Sequence, residues 1–489
     1  MLGSIHTPAV LFCIGTLLPA LGLAADPPNM PEKVFRAGAY AVDVTPQEFP
    51  VIVSGGLIEQ TTSKVTDRLY ARCLVLDDGM EQIALVAVDS CVMPRALLDE
   101  AKLLAQKRTG IRPDRMLISA THTHAAPAVM PELGSDPNEH YGTFLAGKIA
   151  ESIEIANRRL LAARIGWAVG RDPKNVFCRR FLMKPGTAAT NPFGGKQGDR
   201  VQSNPGYGNP NALSPTGAVD DAVAVIAVQS RGGKPLALLG NYSVHYVGAP
   251  PLSADYFGLF CARIGQLIGA EPSFVGILSN GASGDANCHD FSHPPRKFDR
   301  VSVAEDVARA ARAAYKTIHY YDWVPLVMEE RLITLHTRMP TAAEAAAAKE
   351  YLDHHGEPPR DVVGVFARET LLLSRMRPER ELKLQALRIG TLGIAAFPNE
   401  VFGITGLKIK RDSPLQPTVN ITLANGYEGF LPPPDQHHLG GYETWRSRAS
   451  CLEEAAEPKL FSAALEMLEA VATRRADEKP IEAPSGTTQ

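Results

Sequence analysis

Apolar runs that break off abruptly into polar residues recur along this chain. Residues 69–76 and 82–88 are two such runs around Asp77-Asp78-Gly79, which predicts a β-hairpin. Residues 222–228 and 236–242 around Arg231-Gly232-Gly233, and 379–389 and 392–396 around Gly390, predict two more. Single strands are expected at 115–120, 274–278, 324–337 and 418–423. Helical spacing marks 95–107, 252–270, 301–315, 342–354 and 458–474. A longer helix is expected over 141–163, with apolar positions at Phe144, Leu145, Ile149, Ile153, Ile155, Leu160 and Leu161. Residues 181–220 are rich in Gly, Pro, Asn and Ser and read as a long loop, either the wall of a cleft or a solvated insertion. The pattern gives the fold class as α/β: one large domain, residues 35–475, of mixed β-sheets flanked by helices.

The chemistry sits where the apolar runs end. Residues 117–120 are followed at once by Thr121-His122-Thr123-His124. In an extended strand, residues i and i+2 share a face, so the two imidazoles are expected to point the same way. The run 236–242 leads to His245, and 392–396 leads to Glu400. Open α/β sheets bind ligands beyond the carboxyl ends of their strands, and two His plus one Glu is a known catalytic zinc set. Each residue also has a plainer reading: hydrogen-bonded loop histidines for His122 and His124, a core histidine for His245, and a charge favouring a helix N-terminus for Glu400. Residues 279–287 are small and polar, and allow close backbone approach to a ligand.

Composition narrows the class. The 489 residues are 45% hydrophobic and 21% charged, and 50 basic against 53 acidic residues leave a net charge of −3. No basic excess points to nucleic acid. The apolar stretch 8–25 ends in small residues and reads as a signal peptide, residues 1–25, despite a poor positive flank. That reading implies a secreted or periplasmic protein, with a Pro-rich leader at 26–34 and a polar, disordered tail at 476–489. No later run is long enough to span a membrane, so membrane contact is at most peripheral. Seven cysteines are present, none in a C-x-x-C pair, which argues against a cysteine zinc site.

Ala120-Thr121-His122-Thr123-His124-Ala125-Ala126-Pro127 resembles the A-T-H-T-H-S-G-P signature of neutral/alkaline non-lysosomal ceramidases. Other segments resemble that family in the same order: Asn175-Val176-Phe177-Cys178-Arg179-Arg180, Asn241 to His245, Phe397-Pro398-Asn399-Glu400-Val401-Phe402, and Asn425-Gly426-Tyr427-Glu428-Gly429-Phe430 with Gly441-Tyr442-Glu443 downstream. The likeness runs over residues 35–471. It implies one zinc per chain on His122, His245 and Glu400, with His124 as acid/base, Tyr442 stabilising the oxyanion, and Arg179 lining the site (Arg180 as fallback). The implied activity is hydrolysis of a ceramide-type N-acyl amide by zinc-activated water, with a lipid-like or other N-acyl amide as substrate.

Three departures from the family pattern stand out. Phe430 occupies the position of a zinc-ligating tyrosine, leaving three protein ligands, or a move of Tyr427 toward the metal. Asp285 falls where the family's small-residue loop carries a serine, and Ser283 lies two residues earlier, so no nucleophilic serine is assigned. The family's C-terminal immunoglobulin-like domain is not expected here. Two other readings remain: a secreted metal-binding protein without catalysis, and a metallo-esterase or other zinc hydrolase with a non-sphingolipid substrate. A phosphatase would call for a second metal, for which Asp89 and Asp255 are available.

Overall fold

Alternation within the strands decides the architecture. In the computed structural model of the chain, which describes residues 1–4, 9, 33–194 and 198–474, strand β2 (Tyr70–Asp77) sends Ala71, Cys73 and Val75 into one core and Leu74 and Leu76 into another. Strand β3 (Gln82–Val88) repeats this, with Ala84, Val86 and Val88 on one side and Ile83, Leu85 and Ala87 on the other. Both faces are buried, which is why these runs read as continuously apolar rather than alternating.

Six further strands complete the sheet: β1 (Arg36–Asp43), β4 (Met116–Ala120), β5 (Leu161–Arg171), β6 (Ala222–Ser230), β7 (Pro235–Tyr242) and β8 (Val275–Asn280). Their order is β8-β7-β6-β5-β1-β2-β3-β4. Only β7–β8 and β3–β4 are parallel pairs; the other neighbours run antiparallel. Helices α1 (Arg95–Thr109), α2 (Tyr141–Arg158), α3 (Asp255–Leu267) and α4 (Arg300–Tyr315) cover one face. A four-stranded mixed sheet covers the other, in the order β9 (Leu326–His336), β10 (Glu379–Ile389), β11 (Leu392–Ala396), β12 (Thr418–Ile421). The inter-sheet core joins Leu74, Leu85, Leu117, Ile226 and Leu239 to Met328, Leu387, Ile394 and Ile421. Helices α5 (Ala342–His355), α6 (Val362–Ser374) and α7 (Gly403–Asp412) follow in chain order, and α8 (Ala456–Thr473) packs on the far side of the second sheet. The domain is a four-layer helix–sheet–sheet–helix sandwich.

Two expectations are corrected. The helix expected over 141–163 stops at Arg158, and Leu161 opens β5. Its last turn presses on Gly38 of β1, where a Cβ would lie 2.2 Å from the Ala156 carbonyl oxygen. Leu160 and Leu161 satisfy either periodicity, so the sequence does not mark the change. The 181–220 segment is not structureless: strands Arg180–Met183, Val201–Ser203 and Ala212–Pro215 form a small sheet beside the site. The signal-peptide, leader and tail readings fall almost wholly outside the described residues. Among the described residues no helix is long and apolar enough to cross a membrane, and the six described cysteines are free and buried.

Candidate metal centre at the strand ends

The carboxyl ends of β4, β7 and β11 deliver three polar side chains to one point. His122 Nε2 lies 3.0 Å from His245 Nε2. Glu400 Oε2 lies 3.4 Å from His122 Nε2 and 3.9 Å from His245 Nε2. All three are at most 5% exposed. His122 is not in the extended conformation the His-x-His spacing implied. It has a φ of 75°, a strained value for a residue with a Cβ. The kink still brings the His122 and His124 rings to 4.7 Å, edge to face, with Nε2 atoms 3.3 Å apart.

The hydrogen bonds around these groups fit a cation. His122 Nδ1 faces the Cys91 carbonyl oxygen at 3.0 Å, and His245 Nδ1 faces that of Ser283 at 3.3 Å. Donation to these carbonyls turns the lone pairs of both Nε2 atoms toward each other, the usual orientation of metal-ligating imidazoles. Glu400 Oε1 accepts a hydrogen bond from the Tyr427 hydroxyl at 2.9 Å. Its Oε2 is buried with no hydrogen-bond partner and only the His122 and His245 Nε2 atoms near it, a costly state for a carboxylate oxygen unless a positive charge faces it. The cluster calls for one positive charge. Burial opposes a proton on His122, but Cys91 and Glu400 outweigh it and hold His122 well above the ordinary histidine range. Burial, followed by the charges of Arg179 and His122, drives His245 well below that range. His124 is driven the same way by burial, then by His122 and Arg179. A zinc-sized cation in place of that proton finds two nitrogens and one oxygen within 4.8 Å of one another.

The surrounding residues sort into those that face the cluster and those that brace it. His124 stacks on Tyr246, with centroids 3.8 Å apart. Gly55 abuts its ring so closely that a Cβ there would lie 2.5 Å away. Tyr442 sits edge-to-face with Phe430 at 5.8 Å. Burial, then the charges of Glu400 and Glu132, raise its phenol far above the usual range and keep it a neutral donor. Arg179 is braced: Nε donates to Glu443 Oε1 at 2.8 Å and Nη2 to the Gly284 carbonyl at 2.9 Å. Arg180 is fully buried against the 436–443 segment, donating to Glu443 Oε2 at 2.6 Å and to the Gly440 carbonyl at 2.8 Å.

Ser283 and Asp285 do not face the cluster with their side chains. Ser283 Oγ donates to Asn280 Oδ1 at 3.0 Å, and it is the backbone carbonyl of Ser283 that faces His245. Asp285 Oδ1 accepts from the Gly403 N–H at 2.7 Å, at the first residue of α7, and burial pushes its carboxyl up to about 6. Asp89 and Asp255 are committed elsewhere. Asp89 Oδ2 pairs with Arg72 at 2.6 Å, and Asp255 Oδ2 accepts from the backbone of Val247 and Gly248.

Phe430 pairs in register with Glu400 across a short parallel ladder, so its ring lies beside the centre. The Tyr427 hydroxyl donates to Glu400 Oε1. Glu443 carried no assigned role in the sequence, yet it is fully buried and holds both arginines, which bring its carboxyl below the usual range against the effect of burial. Glu132 was not singled out either. Burial and then Glu400 raise it to about 7.

The molecule is thus a layered α/β sandwich with a metal-competent His-His-Glu centre where its strands end. No family model matches the sequence. Among solved structures, the chain is similar to neutral ceramidase from Pseudomonas aeruginosa, with a TM-score of 0.68 and 16% identity over 93% of this chain and 77% of that one. It is also similar to a ceramidase complexed with C2, with a TM-score of 0.66 and 16% identity over 93% of this chain and 78% of that one. At this identity the likeness establishes a neutral-ceramidase-like fold.

Proposed function

We propose that the chain is a zinc-dependent amidohydrolase of the ceramidase type, splitting an N-acyl amide into a carboxylic acid and an amine. The carrying observation is the pair of facing Nε2 atoms with a buried Glu400 oxygen beside them that has no hydrogen-bond partner. His122, His245 and Glu400 would hold the metal. Zinc bound there supplies a Lewis acid that activates water and polarises a carbonyl.

The protein's own groups supply the rest. His124, kept neutral by burial and by neighbouring positive charge, accepts a proton at Nε2 from the attacking water and passes it to the leaving amine nitrogen. Tyr442, kept protonated, donates to the oxygen that gains charge; one such donor is typically worth about 2.7–4 kcal/mol of barrier. Arg179, fixed by Glu443, keeps positive charge near both catalytic-side imidazoles. Ser283 is no nucleophile in this reading, because its hydroxyl is engaged by Asn280.

The test is hydrolysis of a panel of N-acyl amides, ceramides included, by zinc-loaded protein and by the His124→Ala variant. Release of fatty acid by the wild type, reduced at least 100-fold in the variant at equal zinc content, supports the reading. Turnover of carboxylic esters alone would move it to a metallo-esterase.

A further inference from the structure

The Tyr427 hydroxyl lies between two buried carboxyl groups, 2.9 Å from Glu400 Oε1 and 3.2 Å from Glu132 Oε1. Tyr427 is 6% and Glu132 8% exposed. Glu132 joins no metal-competent group of His, Cys, Asp and Glu among the described residues, and the Tyr427 hydroxyl is engaged by the two carboxyl groups. Both are nevertheless held on separate, well-anchored pieces of chain. Tyr427 follows Asn425, whose N–H donates to the Ile118 carbonyl at 2.8 Å on the strand that delivers His122. Glu132 is pinned by reciprocal backbone bonds with Ser135, at 3.1 and 2.9 Å, and its Oε2 accepts from Ser54 Oγ at 3.4 Å. Buried polar groups are hydrogen-bonded, and the run of bonds from Glu132 through Tyr427 ends on Glu400.

We infer that Tyr427 and Glu132 form a positioning relay that fixes Glu400 with Oε2 toward the two imidazoles, doing by hydrogen bonding what Phe430 cannot do by ligation. A glutamate bound through one oxygen is free to rotate about its last torsion. The bond that Tyr427 donates to Oε1 removes that freedom, and Glu132, donating as a carboxylic acid to the phenol oxygen 3.2 Å away, removes it from the phenol in turn. The order is Glu132, Tyr427, Glu400, and Glu132 acts only through the phenol. Outer partners of metal ligands typically contribute about 10–100-fold to metal affinity.

This inference rests on the zinc reading of the centre, and the experiment separates the two. Zinc dissociation constants are measured by chelator competition for wild type, Tyr427→Phe, Glu132→Ala, Glu132→Gln and the Tyr427→Phe/Glu132→Ala double variant. The metal-free melting temperature of each reports folding. Wild type that takes up no zinc overturns the functional reading itself. If wild type binds, Tyr427→Phe should bind about 10–100-fold more weakly. Glu132→Ala should lose less, Glu132→Gln should recover most of that loss because its amide still bonds the phenol, and the double variant should match Tyr427→Phe alone. Tyr427→Phe with wild-type affinity overturns the relay, as does a double variant whose losses add. Should Tyr427→Phe fail to fold, the Glu132→Ala and Glu132→Gln pair decides: equal affinities for the two, whether weakened or intact, overturn it.

Discussion

Gly55 and His124 are in such close contact that the glycine leaves no room for a methyl group: a Cβ at position 55, where φ is +93°, would sit 2.5 Å from the His124 ring. With Tyr246 stacked on the imidazole, this contact fixes the ring beside His122. Gly55→Ala should therefore displace His124 while leaving His122, His245 and Glu400 in place. We expect kcat to fall at least 10-fold, with zinc content unchanged, since misplacement of about 1 Å can cost on the order of 100-fold. Wild-type turnover in this variant would remove His124 from the chemistry.

Ser283 divides two kinds of hydrolase. Its hydroxyl donates to Asn280, and its carbonyl orients His245. Ser283→Ala keeps the carbonyl, so kcat/KM should stay within about a factor of five of wild type. Abolished activity at full zinc content would make the serine a nucleophile.

Glu443 closes a buried network with Arg179, Arg180 and the Ser203 hydroxyl. Breaking a buried pair from one side typically costs about 3–5 kcal/mol, because the partner charge is stranded. Glu443→Gln strands two guanidinium groups and should lower unfolding free energy by at least that range in urea titrations. A change under about 1 kcal/mol would show that the network is solvated.

Lys102 is fully buried, with its ammonium 2.7 Å from Asn425 Oδ1, and burial lowers its pKa from 10.5 to about 8. A lowered folded-state pKa means that between pH 8 and 10.5 the unfolded chain binds more protons than the folded one. Stability owed to this group is thus complete above pH 10.5 and lost as pH falls to about 8. Measured against Lys102→Met, whose position 102 does not titrate, wild-type unfolding free energy should gain on the order of 2–3 kcal/mol between pH 8 and 10. Parallel pH profiles for the two proteins would contradict the burial effect.

Much of the fold was legible because the strands are short, apolar and separated by turn residues: the three hairpins and the strands leading to His122 and Glu400 lie where the pattern places them. The candidate residues His122, His245 and Glu400, which the fold brings together, stood out for the same reason, as polar residues just past apolar runs. What the sequence hid depends on partners far away in the chain. Leu160-Leu161 fits helix or strand, and only contact with β1 decides between them. Glu132 and Glu443 look like ordinary surface acids, and only burial beside Tyr427 and the two arginines gives them roles. Asp285 stands in the sequence where the family's loop carries a serine, and only the fold shows its carboxylate accepting from the Gly403 N–H.

The central claim, that His122, His245 and Glu400 form a zinc site, is tested most directly by elemental mass spectrometry of the purified protein after zinc dialysis, alongside His122→Ala. About one zinc per chain in wild type and almost none in the variant is the expected result. Wild type that stays empty, or a variant that keeps its zinc, would contradict it.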